Sequence, residues 1–212
     1  MARRALILAC GHYGDPSIPP LASPVGDGQR LKALLERADV GGYAVRLCED
    51  ADTKSAQVEL HDFFDQGLPD DLNLLVISGH GLKDRWGRLY FATTDTERER
   101  LSATALSAAF VRQQMDDSRA GQKVLVIDAC YSGAFIENMI PKKVGDLAVS
   151  QADFGNPEEK GTAIVTASTA VQLAGEKEFD GSVQSVFTRC LIEGIETGRA
   201  DSTGDGRITL SE

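Results

Sequence analysis

Residues 123–135 read KVLVIDACYSGAF, an apolar and largely β-branched run that stops abruptly at Asp128 and Cys130. Val124 to Ile127 have the composition of a central parallel strand buried on both faces, so the acid and the thiol stand where such a strand leaves its sheet. Four further short apolar runs, ALILAC (5–10), AVRLC (44–48), NLLVIS (73–78) and TAIVTA (162–167), share this character. The stretches 25–38, 53–65, 103–115 and 183–197 carry apolar residues at three-to-four spacing and read as helices. Alternation of the two kinds is βαβ grammar and predicts an α/β fold: a mostly parallel central sheet with helices on both faces. WGRLYFAT (86–93) alternates after a glycine and is expected to form a small hairpin outside the main sheet.

The chain has 212 residues with 42% hydrophobic content, enough for one sizeable core and therefore one domain. A net charge of −10 argues against nucleic acid or an anionic membrane as partner and suits a cationic substrate. The apolar run after MARR is too short for a signal-peptide core, and no run reaches membrane-span length. Cys10, Cys48, Cys130 and Cys190 are far apart with no C-x-x-C pair, so neither a zinc site nor a disulfide framework is signalled. A reducing, cytoplasmic setting is expected.

Two long connections interrupt the pattern. GHYGDPSIPPLASP (11–24) holds four prolines and two glycines, and IPKKVGDLAVSQADFGNPEEK (140–160) is polar and turn-rich. Both leave predicted strands at their C-terminal ends, where open α/β sheets carry their sites. At the end of the third run, NLLVISGHGLKD (73–84) presents His80 between Gly79 and Gly81, with Ser78 just before. His80 and Cys130 are 50 residues apart, each at the end of its strand, so an imidazole and a thiol could share one cleft. A free thiol is a few per cent ionised at neutral pH. A nearby imidazole that removes its proton and later protonates a leaving amine is what nucleophilic thiol chemistry needs.

ISGHG (77–81) followed by IDACYSG (127–133) resembles the caspase-like cysteine peptidases, in which the same separation occurs. The text resembles the metacaspase and bacterial caspase-like branch more than the animal enzymes, whose pattern has Gln at the place of Asp128. The likeness runs over roughly residues 4–198. It implies a caspase-like three-layer sandwich, and a cysteine endopeptidase with a His80/Cys130 dyad. It also implies an oxyanion hole built from the backbone N–H groups of Gly81 and Cys130. In metacaspases the acid two before the nucleophile lines the primary specificity pocket, together with an Asp at the start of the first long helix and the Ser of the Ser-Gly-His-Gly motif. Carried over, these are Asp128, Asp27 in SPVGDGQRLKALL (23–35) and Ser78. Two acids there select Arg or Lys before the cut bond.

For Asp27 a helix-capping role in the first turn is the competing reading. STAVQLAGE (168–176) resembles the segment along which the family lays its extended substrate. The likeness further implies a large-subunit-like part (1–140), a connecting loop (140–160) and a small-subunit-like part (161–212), with a role in bacterial stress, defence or regulated cell death. A catalytically silent scaffold of the same fold, binding a partner through the pocket, is the alternative.

The remaining candidates are weaker. His12 and His61 read as solvated, and Cys10, Cys48 and Cys190 as small core residues. The tail DSTGDGRITLSE (201–212) matches a calcium-loop template at Asp201, Asp205, Gly206 and Glu212, but Thr203 departs from it. The preferred reading is an Asp/Gly turn leading into a short strand, with no cofactor required and calcium as the alternative. Because the chain stops at Glu212, a longer parent with further modules is expected.

Overall fold

The computed structural model describes residues 1–129 in full, the backbone of 130–131, and residues 161–167, 176–179, 181–206 and 208. In chain order the elements are β1 (Arg3–Ala9), α1 (Pro24–Leu35), β2 (Ala44–Glu49), α2 (Thr53–Asp65), β3 (Leu72–Lys83) and β4 (Leu89–Phe91). They continue with α3 (Leu101–Thr104), β5 (Leu106–Ser107), α4 (Ala108–Asp117), β6 (Gln122–Tyr131), β7 (Thr162–Thr166), β8 (Glu176–Phe179), β9 (Ser182–Ser185) and α5 (Val186–Thr197). Strands β2, β1, β3, β6 and β7 lie side by side and parallel. The fold is the expected mostly parallel α/β sandwich, with five helices around the sheet among the described residues.

Strand periodicity sorts the apolar residues onto two faces. Leu6, Leu8, Leu75, Ile77, Leu125 and Ile127 pack on α2 and α4 through Leu60, Phe63, Phe64, Val111 and Met115. Ala5, Ile7, Val76 and Val126 face α1 and α5 through Leu31, Leu35, Phe187, Leu191 and Ile192. Each large apolar side chain buried this way contributes about 1.5–3 kcal/mol. The interleaving of both sets along the same strands is why the runs read as continuously apolar.

Three expectations are corrected. The piece expected as a separate hairpin joins the main sheet: β3 continues past the end of β1, and β4 pairs antiparallel with it there (Gly81 with Phe91, Lys83 with Leu89). The helix expected over 103–115 is interrupted, because Ser107 leaves helical geometry to cap α4, its Oγ accepting from the Phe110 N–H at 3.1 Å. Cys190 is exposed rather than a core residue, since α5 turns Phe187, Leu191 and Ile192 toward the sheet instead.

Candidate active site

The β3–β6 register decides what meets at the sheet's C-terminal edge. Ser78 lies opposite Asp128, Gly79 opposite Ala129, and His80 opposite Cys130. Adjacent strands are about 4.8 Å apart, so the backbones of residues 80 and 130 are immediate neighbours.

His80 is buried, and its surroundings fix its chemistry. Its Nε2 lies 2.9 Å from the carbonyl of Pro19, in the proline-rich loop after β1. A carbonyl can only accept, so Nε2 carries the hydrogen and Nδ1 of the neutral ring carries the lone pair. Nδ1 is itself buried and has no hydrogen-bond partner among the described residues. Burial pushes the imidazole below its ordinary range, assisted by Arg98 and opposed by the Pro19 carbonyl and the charge of Glu176. The ring therefore rests as a neutral base.

The backbone around it is equally defined. The His80 N–H meets the Tyr13 hydroxyl at 3.2 Å, and its carbonyl accepts from Ala92 N–H at 2.9 Å. Gly81, one residue on, is paired with Tyr131 of β6, so its N–H lies on the β6 side of the strand, within that pairing.

The acids collect at the N-terminus of α5. Asp27, 1% exposed, accepts from the N–H of Ser185 at 2.8 Å and from Arg30 at 2.6 Å. Asp128, 6% exposed, accepts from the Thr188 hydroxyl at 2.6 Å. A helix N-terminus offers free N–H groups and positive potential, which is what two buried carboxylates need. Burial nevertheless raises both carboxyls above their usual range. The neighbouring acid Asp128 adds to the shift of Asp27, and Glu176 adds to that of Asp128. Ser78 is buried beside Asp128 in register. The structure thus brings Asp27, Ser78, Asp128 and His80 into one region, and the Asp27 charge is already matched by Arg30, one turn along α1.

Glu176 went unrecognised as a site residue. It opens β8, accepts from the Ser23 N–H at 2.6 Å just ahead of α1, and acts electrostatically on both His80 and Asp128. Its partners are far away in sequence, so no local pattern could single it out; its place at the end of the 168–176 segment was the available signal.

The other candidates fall away from this region. His12 is exposed and paired with Asp50 at 2.9 Å, and His61 is exposed and bonded to Gln114. In the tail, the Asp201 carboxylate is taken up by the N–H groups of Gly204, Asp205 and Gly206, as in an Asp turn. Among the described residues no group of three or more His, Cys, Asp or Glu could hold a metal ion, and no helix is long and apolar enough to cross a membrane. The side chain of Cys130, the 140–160 loop, residues 168–175 and Glu212 lie outside the described residues.

The fold is shared with the crystal structure of a Geobacter sulfurreducens protein, at 16% identity and a TM-score of 0.64, covering 93% of this chain and 83% of that one. No curated protein matches the chain. The caspase domain family matches residues 2–206, which spans the sheet, the His80 and Cys130 strand ends and α5; the chain belongs to the caspase-domain family of peptidases.

Proposed function

We propose that the protein is a cysteine endopeptidase of the bacterial metacaspase-like branch, cutting after Arg or Lys. Cys130 is the nucleophile and His80 the base. The observation that carries this reading is the register of His80 against Cys130 together with an Nδ1 that is buried and unpartnered among the described residues. Nδ1 takes the thiol proton as sulfur attacks the scissile carbonyl carbon, and the N–H groups of Gly81 and Cys130 receive the oxyanion. The protonated imidazole then gives its proton to the leaving amine, and water hydrolyses the thioester by the reverse sequence. Nothing in this chemistry calls for a metal.

Asp128 and Glu176 supply the charge that recognises the substrate cation. Asp27, its charge already matched by Arg30, shapes the pocket wall with Ser78. A cytoplasmic location accords with four cysteines scattered along the sequence without a C-x-x-C pair, and a role in defence or regulated cell death follows from the branch resemblance.

The test is hydrolysis of peptide reporters ending in Arg, Lys or Asp by wild type, Cys130→Ala, His80→Ala and the double variant. Turnover of the Arg and Lys reporters is expected from wild type alone, unchanged by a chelator, with the double variant no worse than either single. Substantial turnover by Cys130→Ala refutes the dyad. Equal cleavage after Asp refutes the pocket.

A further inference from the structure

The chain leaving β1 wraps over His80 before it reaches α1, and the hydrolytic steps above leave the contacts of His80 with Tyr13 unexplained. β1 ends its pairing at Ser78 and β4 begins at Gly81, so the N–H of His80 falls in the gap between two partner strands. The Tyr13 hydroxyl fills that gap. It accepts from the His80 N–H at 3.2 Å and donates to the Cys10 carbonyl at 2.5 Å. Its ring lies against the imidazole, with centroids 5.1 Å apart and the planes tilted by 46°. Gly79 allows this approach: at φ +152° its absent Cβ would sit 2.9 Å from the Cys10 carbonyl oxygen and 3.1 Å from the Tyr13 hydroxyl.

The turn that aims Tyr13 is held in its turn by Asp50, at the end of β2. Its carboxylate accepts from the N–H of Gly11 at 2.7 Å, the N–H of His12 at 3.1 Å and the His12 ring at 2.9 Å. Its backbone N–H donates to the Ala9 carbonyl at 2.8 Å. Asp50 does this in a left-handed conformation, φ +43°, the one non-glycine positive φ among the described residues. A sparsely populated backbone state kept beside a cleft is a place where function is commonly found.

We propose that Tyr13 is a positioning residue for the His80 imidazole, and that Asp50 holds Tyr13 in that role through the turn at residues 11–12. The proposal rests on reading His80 as the base. Nε2 is tethered to the Pro19 carbonyl, and the Tyr13 ring closes one side of the imidazole, so the ring is held with Nδ1 presented inward. The phenol takes no part as acid or base: burial raises it far above its usual range, and its hydrogen is committed to Cys10. Among the described residues the charged groups acting on His80 are Glu176 and Arg98, and the Tyr13 ring covers one side of the imidazole.

The experiment uses the whole chain as wild type, Tyr13→Phe, Tyr13→Leu and Asp50→Asn. For each, kcat and KM are measured on an Arg reporter across pH, alongside the pH dependence of Cys130 alkylation by iodoacetamide, read by peptide mass, and the melting temperature. Tyr13→Phe is expected to lower kcat by about 10- to 100-fold with KM within about twofold, the cost of a slightly misplaced base. Tyr13→Leu is expected in addition to move the acid limb of kcat/KM and of alkylation upward, because the imidazole becomes wetter. Asp50→Asn should lower kcat in the same sense as Tyr13→Phe.

A wild-type kcat and a wild-type acid limb in both Tyr13 variants overturn the proposal, as does a kcat loss that merely tracks falling melting temperature across the three. If wild type cuts no Arg or Lys reporter, the functional reading fails. The alkylation profiles still decide the role of Tyr13, supporting it if Tyr13→Leu shifts them and overturning it if they superimpose on wild type.

Discussion

Replacing Thr188 by valine keeps the shape of a side chain that is 3% exposed and removes one atom's worth of chemistry: the hydroxyl that donates to Asp128 at 2.6 Å. A hydrogen bond to a buried charged group is worth about 1.5–3 kcal/mol. The loss disfavours the charged carboxylate by that amount, so it should raise the Asp128 carboxyl further. Burial already holds this carboxyl above its ordinary value, with the hydroxyls of Ser185 and Thr188 opposing the shift. With a folded value above the unfolded one, the folded chain holds the proton more tightly. Stability is therefore lost as pH rises from the ordinary carboxylate range through the raised folded value.

Thr188→Val enlarges that loss. Its stability penalty should be fullest at alkaline pH and shrink toward acid, where Asp128 is protonated in both proteins. Denaturant melts over a pH series measure this half without any assumption about activity. The KM for an Arg reporter measures the other half: the pH at which KM begins to climb on acidification should move upward. A stability penalty independent of pH, or KM–pH curves that superimpose on wild type, would refute the claim that this hydroxyl sustains the Asp128 charge.

Three other outcomes are expected. The acid limb of the wild-type kcat/KM profile should lie below about 6.5, because burial disfavours the imidazolium of His80; a limb at or above that value contradicts the environment described. Gly79→Ala should cost about 1–3 kcal/mol in a denaturant melt and most of the turnover, since its Cβ would meet the Cys10 carbonyl, and a fully active, equally stable variant would show that the loop has room to move. Incubation of wild type beside Cys130→Ala should give new termini after Lys142, Lys143 or Lys160 in wild type alone, because a cuttable segment tethered beside its own active site has a high effective concentration; an intact, active chain excludes self-cleavage there.

The parallel sheet was legible because its signal is local: Leu125 and Ile127 serve one face while Val124 and Val126 serve the other, and every residue of the run is apolar for that reason. The pairing of Leu89–Phe91 was not, since three residues carry little periodicity and their place depends on how far β3 outruns β1. The neighbourhood of His80 and Cys130 followed from two strand ends in adjacent positions. The Pro19 tether, the Tyr13 contact and Glu176 did not, because each joins residues from distant segments through geometry that no spacing encodes. The Asp27–Arg30 ion pair was not read from the sequence, because its meaning depends on the burial of Asp27, which only the packing reveals.

Three of the pocket's hydrogen bonds join chain before Tyr131 to chain after Gly161: Ser23 to Glu176, Ser185 to Asp27, and Thr188 to Asp128. The β6–β7 pairing and the α1–α5 packing join the same two portions. A backbone break between them would therefore leave a two-piece protein whose cohesion and whose proposed cation site depend on the same contacts. Thermodynamic reciprocity then applies: whatever factor the joined state adds to the affinity for an Arg-bearing peptide, that peptide adds to the affinity of one piece for the other. Occupancy of the cleft would act as a clasp, and a nicked molecule would be hardest to pull apart while it holds its substrate.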